Sequence, residues 1–353
     1  MAIQIDPYGT QDDGTTAHRF TLRAGGIEAA LTDFGARLLE LRVPDRNGTP
    51  ADVVLGHPDL VSNASSTTYF GATCGRYANR IRRGSFSIDG RRVSVTTNEG
   101  ANHLHGGALG FDRRLWNSES DETRNGVKFA LLSPDGDEGF PGHVAATTEY
   151  VLDEATLDIT MTAQVTTPTV VNMVNHAYWN LGGHDRGSVL GHRLKIESDF
   201  VTPVDDELIP TGEIRSVADT PFDFRESHEI GEYVRGVEHS GAGRPAPAGF
   251  AGYDHNWVIR GQIGSKRPCA SLYDPVSGRR LELSTNEAGV QIYTGGYLDD
   301  VAGKSGAVYG PFQGLTLETQ RFPDSPNHGH FPSSILRPGE LYEHRMTFSF
   351  SVE

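Results

Sequence analysis

The fold class follows from one stretch in particular, Leu157-Asp-Ile-Thr-Met-Thr-Ala-Gln-Val165, along which apolar and polar residues alternate without a break. Alternation with a period of two is typical of a half-buried β-strand, because successive side chains of a strand point to opposite faces of the sheet. The C-terminal stretch repeats the pattern with Met346, Phe348, Phe350 and Val352. The two stretches predict strands that each turn one face to a hydrophobic core.

The same signal extends outward from these two stretches over most of the chain. Phe86 and Ile88, the dipeptide Asp89-Gly90, and Val93 and Val95 predict a hairpin around a tight turn. Six further stretches predict strands: Leu39–Val43, Val127–Leu132, His192–Glu197, Asn256–Ile259, Arg280–Ser284 and Val290–Thr294.

Helical periodicity is almost absent, and its best instance, Ile230–Arg235, predicts one or two turns. Many short strands, glycine-rich turns and few short helices favour an all-β protein, built as a large antiparallel β-sandwich. The chain has no internal repeat, and its loosest stretch, Gly241–Gly249, is predicted to be a surface loop too short for a domain linker. A single domain over residues 1–353 is therefore expected.

Composition excludes several classes of partner. The 353 residues carry 31 basic and 46 acidic side chains, a formal charge of −15, which argues against binding to nucleic-acid phosphates or to an anionic membrane surface. The basic run Arg76, Arg80, Arg82, Arg83, Arg91 and Arg92 is accordingly interpreted as a solvated hairpin edge. Two cysteines are too few for a disulfide framework. No signal peptide and no apolar run of membrane-spanning length is found, so a cytoplasmic globular protein is expected.

Four segments concentrate polar, reactive side chains in apolar or glycine-rich surroundings. They are Gly71–Ile81 together with Asn102–Gly107, Val171–Gly183, Gly252–Trp257, and Gly314–Pro323.

In the last of these segments, Leu315 and Leu317 alternate with Thr316 and Glu318. A strand here places Glu318 on the face opposite the two leucines. If that face lines a cleft, the carboxylate can accept or donate a proton. The alternative is a glutamate on a solvent-facing strand.

His176 is flanked by Tyr178 and by amide side chains, a combination that suits a polar sugar site with a stacking surface. The alternative is a buried histidine satisfied by backbone groups. His103 and His105 are predicted to share one strand face, but no compact third ligand is at hand, so no metal site is expected. Asp254, in a run of aromatic residues, either holds sugar hydroxyls or is a plain loop aspartate.

Taken together, these segments resemble the aldose 1-epimerase (galactose mutarotase) family over almost the whole chain. The motifs that carry the resemblance occur in order at family-like spacing: Gly75-Arg-Tyr-Ala-Asn-Arg-Ile81, Asn102-His-Leu-His-Gly-Gly107, Asn175-His176 with Asn180-Leu181, Tyr253-Asp-His-Asn256 and Leu317-Glu-Thr319. The resemblance implies a large antiparallel β-sandwich of the galactose mutarotase-like supersandwich type.

The resemblance also implies an activity and assigns roles. The expected reaction is interconversion of the α and β anomers of free aldoses such as glucose and galactose, which needs no cofactor because no redox change or group transfer occurs. His176 takes the place of the family's general acid and Glu318 that of its general base. Together with Tyr178, the residues expected to bind the sugar are Asn79, Arg80, His105, Asp254 and Gln291.

The chain departs from the usual family pattern at Gly296 and Ala288, and both departures place the sugar contact of nearby Gln291 in question. It also departs at Trp179, a residue expected in the cleft wall. Three alternatives stay open: a glycoside hydrolase using Asp254 and Glu318 as paired carboxylates, a non-catalytic sugar-binding or sensing protein, and a mutarotase for hexose phosphates. The sequence specifies neither the preferred aldose nor the oligomeric state.

Overall fold

The computed structural model describes residues 2–237 and 252–353, and the predicted loop Gly241–Gly249 lies outside these ranges. The described chain consists mainly of strands with very few helices, which confirms the predicted all-β class. Its strands form three larger sheets, of five, nine and six strands, and a few two-stranded ribbons. All the recorded pairings between named strands of these sheets are antiparallel.

The N-terminal sheet is a meander, in which each strand pairs with the next one along the chain. Its strands are Gln4–Thr10, Thr16–Ala24, Ile27–Thr32, Arg37–Pro44 and Pro50–Asp52.

The large sheet contains both of the stretches along which apolar and polar residues alternate most regularly. In spatial order its strands are Asn117–Asp121, Gly126–Ser133, Val144–Asp153, Thr156–Val165, Tyr342–Val352, Arg279–Thr285, Arg267–Tyr273, Arg193–Ile196 and His228–Glu229. Thr156–Val165 and Tyr342–Val352 lie side by side, with Leu157 opposite Phe348. Cross-strand neighbours point to the same face of a sheet, so the two alternating patterns combine into one apolar surface.

The cavity sheet, named for the cavity it lines, has one apolar and one polar face. In spatial order its strands are Tyr178–Trp179, Leu315–Gln320, Gly289–Tyr293, Asp254–Ile259, Ser198–Thr202 and Arg215–Ser216. Leu315 and Leu317 are buried in the hydrophobic core, and Glu318 lies on the other face, as the alternation predicts.

The shorter elements connect these sheets. The two-stranded ribbons pair Thr73–Cys74 with Val174–Asn175, Arg80–Ile81 with His103–Leu104, Ser85–Ile88 with Arg91–Ser94, Thr169–Val170 with Ile335–Leu336, and Val301–Ala302 with Val308–Tyr309. The α-helix of the described chain is Leu60–Ser65, and the 3₁₀-helices are Arg82–Gly84, Phe111–Arg113, Asp137–Gly139, Ile230–Glu232, Val234–Gly236, Lys304–Gly306 and Ser325–Asn327. None of the helices within the two described ranges is long and apolar enough to cross a membrane.

Two local predictions, one for a hairpin turn and one for a short helical stretch, are confirmed. Asp89 and Gly90 join the hairpin strands with φ of 51° and 76°, the positive values that a two-residue hairpin turn of type I′ requires. The stretch predicted to form one or two helical turns forms two short 3₁₀-helices, Ile230–Glu232 and Val234–Gly236.

One hydrophobic cluster contains residues of all three large sheets, among them Phe20, Phe129 and Ile292. This shared core supports our proposal that the chain is one domain. The cluster also corrects the expectation for Trp179, which is fully buried and packs on Phe348 with ring centroids 4.9 Å apart. Adjacent residues of a strand face opposite sides, so Trp179 lies in the core and not in the cleft wall.

The interpretation of the arginine run as a solvated edge is wrong for two of its members. Arg82, Arg83, Arg91 and Arg92 are exposed, but Arg76 and Arg80 are buried. Arg76 donates from Nε to Ser133 Oγ (2.8 Å) and from Nη1 to the carbonyl of Gly142 (2.9 Å). A guanidinium with several fixed donors can satisfy loop carbonyls in this way and remain charged inside the protein.

Candidate functional site

The polar face of the cavity sheet is assembled by strand register. Gln291 lies directly opposite Glu318, and Tyr293 lies opposite Thr316 on one side and Asp254 on the other. Directly opposed side chains on one face have Cβ atoms about 4.5–5.5 Å apart. Residues that are distant in sequence therefore become neighbours on one surface.

Loops and ribbons from elsewhere in the chain close this surface into a cavity of about 120 Å³. A cavity of this size can hold several water molecules, and it suits one sugar ring better than a chain of them. All the predicted site residues except Gln291 line it: Asn79, Arg80, His105, His176, Tyr178, Asp254 and Glu318. The sequence analysis did not single out the other lining residues: Thr67, Thr68, Tyr69, Glu99, Leu104, Tyr293, Tyr297 and Leu298.

His176 and Glu318 form a buried pair, with Nε2 of the histidine 3.6 Å from Oε1 of the glutamate. Burial raises the pKa of Glu318 to about 8, with a smaller upward contribution from the charge of Asp254. Burial lowers the pKa of His176 to about 3. Each shift has the same physical cause, because a charged group loses its hydration inside the protein. Near neutral pH the empty pair therefore carries one proton between its two groups.

Two tyrosines flank the imidazole of His176. Tyr178 stacks on it, with ring centroids 5.1 Å apart and planes at 29°, and Tyr69 lies near the ring at 5.7 Å and 31°. Aromatic faces carry partial negative charge, so these rings stabilise an imidazolium more than a neutral imidazole. The arrangement holds His176 in place and favours a protonated state during a reaction.

His105 presents a hydrogen-bond donor to the cavity. The backbone N–H of Asn79 donates to its Nδ1 at 3.2 Å, so the proton of the neutral imidazole is on Nε2. Burial, followed by the charges of His176 and Arg80, holds the pKa of His105 well below its usual range. The prediction that His103 and His105 share a strand face is wrong, because the strand ends at Leu104 and His105 adopts a φ of 50°.

The position of the proton on His105 also affects whether the site can bind a metal ion. Ligand-type atoms of His105, His176 and Glu318 lie within 4.8 Å of one another. A metal ligand must offer a lone pair, and Nε2 of His105 carries a proton as long as Asn79 donates to Nδ1. The geometry therefore favours hydrogen bonding to a sugar hydroxyl over metal ligation at His105.

Arg80, Glu99 and Asp254 also line the cavity and form a network of hydrogen bonds and ion pairs. Arg80 donates from Nε to Glu99 at 2.6 Å and from Nη2 to the same carboxylate at 2.8 Å, and its Nη1 lies 3.7 Å from Asp254. Burial alone would lower the pKa of Arg80, but the charges of Glu99 and Asp254 outweigh it and raise the pKa. Gln291 lies behind this network, where its Nε2 donates to Asp254 at 2.7 Å. The structure thus gives Gln291 a contact with the predicted sugar-binding aspartate and not a place in the cavity lining.

The neighbouring departure from the family pattern, Ala288, is buried in a cluster with Phe322 and Phe331. Gln291 keeps its hydrogen bond to Asp254 in the presence of both this residue and Gly296.

Charge at the cavity bears on the phosphorylated-sugar alternative. Among the described residues that line the cavity, Arg80 is the only arginine or lysine, and its guanidinium is already paired with Glu99. Arg82 points elsewhere and donates to Asp205 at 2.6 Å. The described lining thus lacks the basic cluster that recognition of a phosphate needs.

The chain matches known proteins over nearly its whole length. A family model described as aldose 1-epimerase matches residues 18–349. Galactose mutarotase from Bos taurus is 41% identical over 338 residues, 96% of this chain and 95% of that protein. Aldose 1-epimerase from Escherichia coli (strain K12) is 36% identical over 346 residues, with 97% of each chain covered.

Solved structures agree with this match. The aldose epimerase homologue from C. elegans has a TM-score of 0.85 and 32% identity, covering 95% of this chain and 99% of that chain. Galactose 1-epimerase from Lactobacillus acidophilus NCFM has a TM-score of 0.83 and 25% identity, with 99% of each chain covered. These matches confirm the galactose mutarotase-like fold that the resemblance implied. Fold, motifs and full-length identity lead to one conclusion: this chain belongs to the aldose 1-epimerase family.

Proposed function

We propose that this protein interconverts the α and β anomers of a free aldose by general acid–base catalysis, with Glu318 as the base and His176 as the acid. The observation that carries the proposal is the buried pair itself, a carboxyl and an imidazole 3.6 Å apart in a polar cavity the size of one sugar ring. Membership of the aldose 1-epimerase family supports the reaction class.

Anomer interconversion requires proton transfer at two oxygens of the hemiacetal. The Glu318 carboxylate removes the proton of the C1 hydroxyl, and the His176 imidazolium gives a proton to the ring oxygen as the bond between C1 and that oxygen breaks. The product is the open-chain aldehyde, which can rotate about its C1–C2 bond. Ring closure on the other face reverses both transfers and returns each residue to its starting state, so no co-reactant is consumed.

The proton count of the pair suits this cycle. With the pKa of Glu318 at about 8 and that of His176 at about 3, one proton belongs to the pair over a wide range around neutral pH. The reactive arrangement has that proton on His176, and the flanking rings of Tyr69 and Tyr178 lower the free energy of this arrangement. Loss of the shared proton at high pH would leave the site with a base and no acid.

The remaining predicted residues would orient the sugar. Nε2–H of His105 and the guanidinium of Arg80 are donors, the carboxylate of Asp254 is an acceptor, and Tyr178 offers an apolar ring face. Asn79 lines the same cavity, and its side-chain oxygen accepts from the backbone N–H of Arg80 at 2.8 Å. The expected cytoplasmic location and the expected lack of nucleic-acid partners stay predictions from composition.

The test is polarimetry on freshly dissolved α-D-glucose and α-D-galactose. We expect the wild-type protein to accelerate the decay to the equilibrium rotation. Glu318→Gln and His176→Asn should each reduce this acceleration by about 10²–10⁴-fold, the range typical of general acid–base catalysis. Glu287→Gln is the matched control, because Glu287 is a buried carboxylate that does not line the cavity.

The outcomes separate the alternatives. Full activity of either site variant would refute its assigned role. A wild-type protein that binds the sugars but does not accelerate mutarotation would favour a non-catalytic sugar-binding protein, and release of reducing ends from glycosides would favour a hydrolase.

A further inference from the structure

Thr316 contacts the proposed base directly. It lies two residues before Glu318 on the strand Leu315–Gln320, so both side chains occupy the polar face of the cavity sheet. Its Oγ1 donates to Oε1 of Glu318 at 2.9 Å. Both residues are buried, so water does not compete for this hydrogen bond.

The direction of the bond is set by a second contact. The backbone N–H of Tyr293 donates to Oγ1 of Thr316 at 3.2 Å. A backbone N–H can only donate, so the hydroxyl accepts there and its own proton is available for Glu318. The other oxygen of Glu318, Oε2, is buried and accepts no hydrogen bond from any described residue. The hydroxyl of Thr316 therefore holds one oxygen of the carboxylate, while the other has no donor among the described residues.

We propose that Thr316 is a positioning residue for the reaction: its hydroxyl holds Oε1 of Glu318 and stabilises the carboxylate that takes the proton of the C1 hydroxyl. This inference rests on the proposed function. The chemistry requires Glu318 as an anion in a cavity where burial opposes the anion, and a fixed hydroxyl donor offsets part of that penalty.

Several other groups act on Glu318 and are unchanged by a substitution at Thr316. His176 lies 3.6 Å away, and His105 lies within the same cluster of ligand-type atoms. The charge of Asp254 raises the pKa of Glu318 and that of Arg80 lowers it. Two further titratable groups, Tyr178 and Cys74, are buried close enough that the charge of Glu318 raises their own pKa values.

The sign of the expected effect follows from the bond. The hydroxyl of Thr316 lowers the pKa of Glu318, so its removal raises that pKa. A hydrogen bond to a charged group corresponds to a shift of about one pKa unit or more. Thr316→Val should therefore move the alkaline limb of the kcat/KM profile up by about one pH unit. It should also lower the plateau about tenfold through kcat, because the anionic form of Glu318 becomes about tenfold rarer.

The experiment is a polarimetric pH profile of kcat and KM for wild type, Thr316→Val and Thr316→Ser. Thr316→Ser keeps the hydroxyl, so the alkaline limb of its kcat/KM profile and its kcat should match those of the wild type. Thr319→Val is the matched control, because it removes a buried hydroxyl from the opposite face of the same strand, where Thr319 contacts His344. It should leave the alkaline limb in place even if it lowers the thermal midpoint. Thr316→Ala serves if the valine variant does not fold.

An unchanged limb in a folded Thr316→Val or Thr316→Ala protein would overturn the inference, and so would a Thr316→Ser protein that stays as impaired as the valine variant. These results are distinct from a failure of the proposed function. That failure would appear as an inactive wild type or a fully active Glu318→Gln, whereas a failed inference leaves wild type active and Glu318→Gln inactive.

Discussion

Replacing Glu99 by glutamine is expected to weaken sugar binding and to destabilise the fold. Glu99 holds Arg80 through two hydrogen bonds, of 2.6 and 2.8 Å, and both side chains are less than a tenth exposed. This two-point contact orients the guanidinium so that its remaining nitrogen, Nη1, lies 3.7 Å from Oδ2 of Asp254 at the cavity. Glutamine keeps the shape of the side chain but removes the charge and one of the two acceptor oxygens.

The magnitude follows from the burial of the pair. Removing one partner of a buried ion pair costs about 3–5 kcal/mol, and we take about 3 because glutamine retains one acceptor. An unfolding entropy of about 2.1 cal/mol/K per residue gives about 0.7 kcal/mol/K for 353 residues. The thermal midpoint should therefore fall by about 4 °C. Arg80 is expected to turn toward Asp254 and to compete with the sugar for that carboxylate, which should raise KM about tenfold, or about 1.4 kcal/mol, with little change in kcat.

The assay combines polarimetry over a range of sugar concentrations with thermal unfolding. Glu213→Gln is the control, because Glu213 makes the same two-point contact with Arg215, at 3.0 and 2.7 Å, but both side chains are about half exposed. Exposed ion pairs contribute about 0–1 kcal/mol, so this variant should keep the wild-type midpoint and KM. Equal effects of the two substitutions would refute the reasoning, since it depends on the burial of the Glu99–Arg80 pair and on the place of that pair in the cavity lining.

Two further predictions concern proton binding and stability. The value of kcat/KM for the wild type should fall above pH 8, about tenfold for each further pH unit, because the pair loses its shared proton as Glu318 ionises. Polarimetry with the uncatalysed rate subtracted checks this. A fall in kcat/KM that begins near the ordinary glutamate pKa would contradict it. Lys304→Met should lower the free energy of unfolding by about 3–5 kcal/mol, because Asp52 loses its buried ion pair and the carbonyls of Leu39 and Val54 lose a donor. Thermal unfolding measures this loss. Turnover at 25 °C should be unchanged.

Strand faces could be predicted from the sequence, because alternation is a local property. The two long alternating stretches pair in the large sheet, and Glu318 lies opposite the face of Leu315 and Leu317. The same rule would also have placed Trp179 in the core, since Tyr178 lines the cavity and neighbours on a strand face opposite ways. Our expectation for Trp179 was wrong because it was drawn from position in a motif and not from strand geometry.

Contacts that depend on register or on loop closure could not be predicted. Glu99 reaches Arg80 across 19 residues, and nothing in either local sequence indicates the pairing. The burial of Arg76 depends on carbonyls of residues 134–142, so a run of arginines seen in sequence gives no sign of it. Thr316 is an intermediate case, because its spacing from Glu318 places both on one face, although only the structure shows the hydrogen bond between them.

The reactivity of the site and its cost in stability have one cause. Oε2 of Glu318 and Nδ1 of His176 are buried without a hydrogen-bond partner among the described residues. Each such atom costs about 1–3 kcal/mol, so the empty site opposes folding. The same loss of hydration raises the pKa of Glu318 and lowers that of His176, which brings one shared proton into the pH range where the protein would work. The burial that costs stability is therefore the same burial that sets the proton content of the pair, a trade of stability for activity.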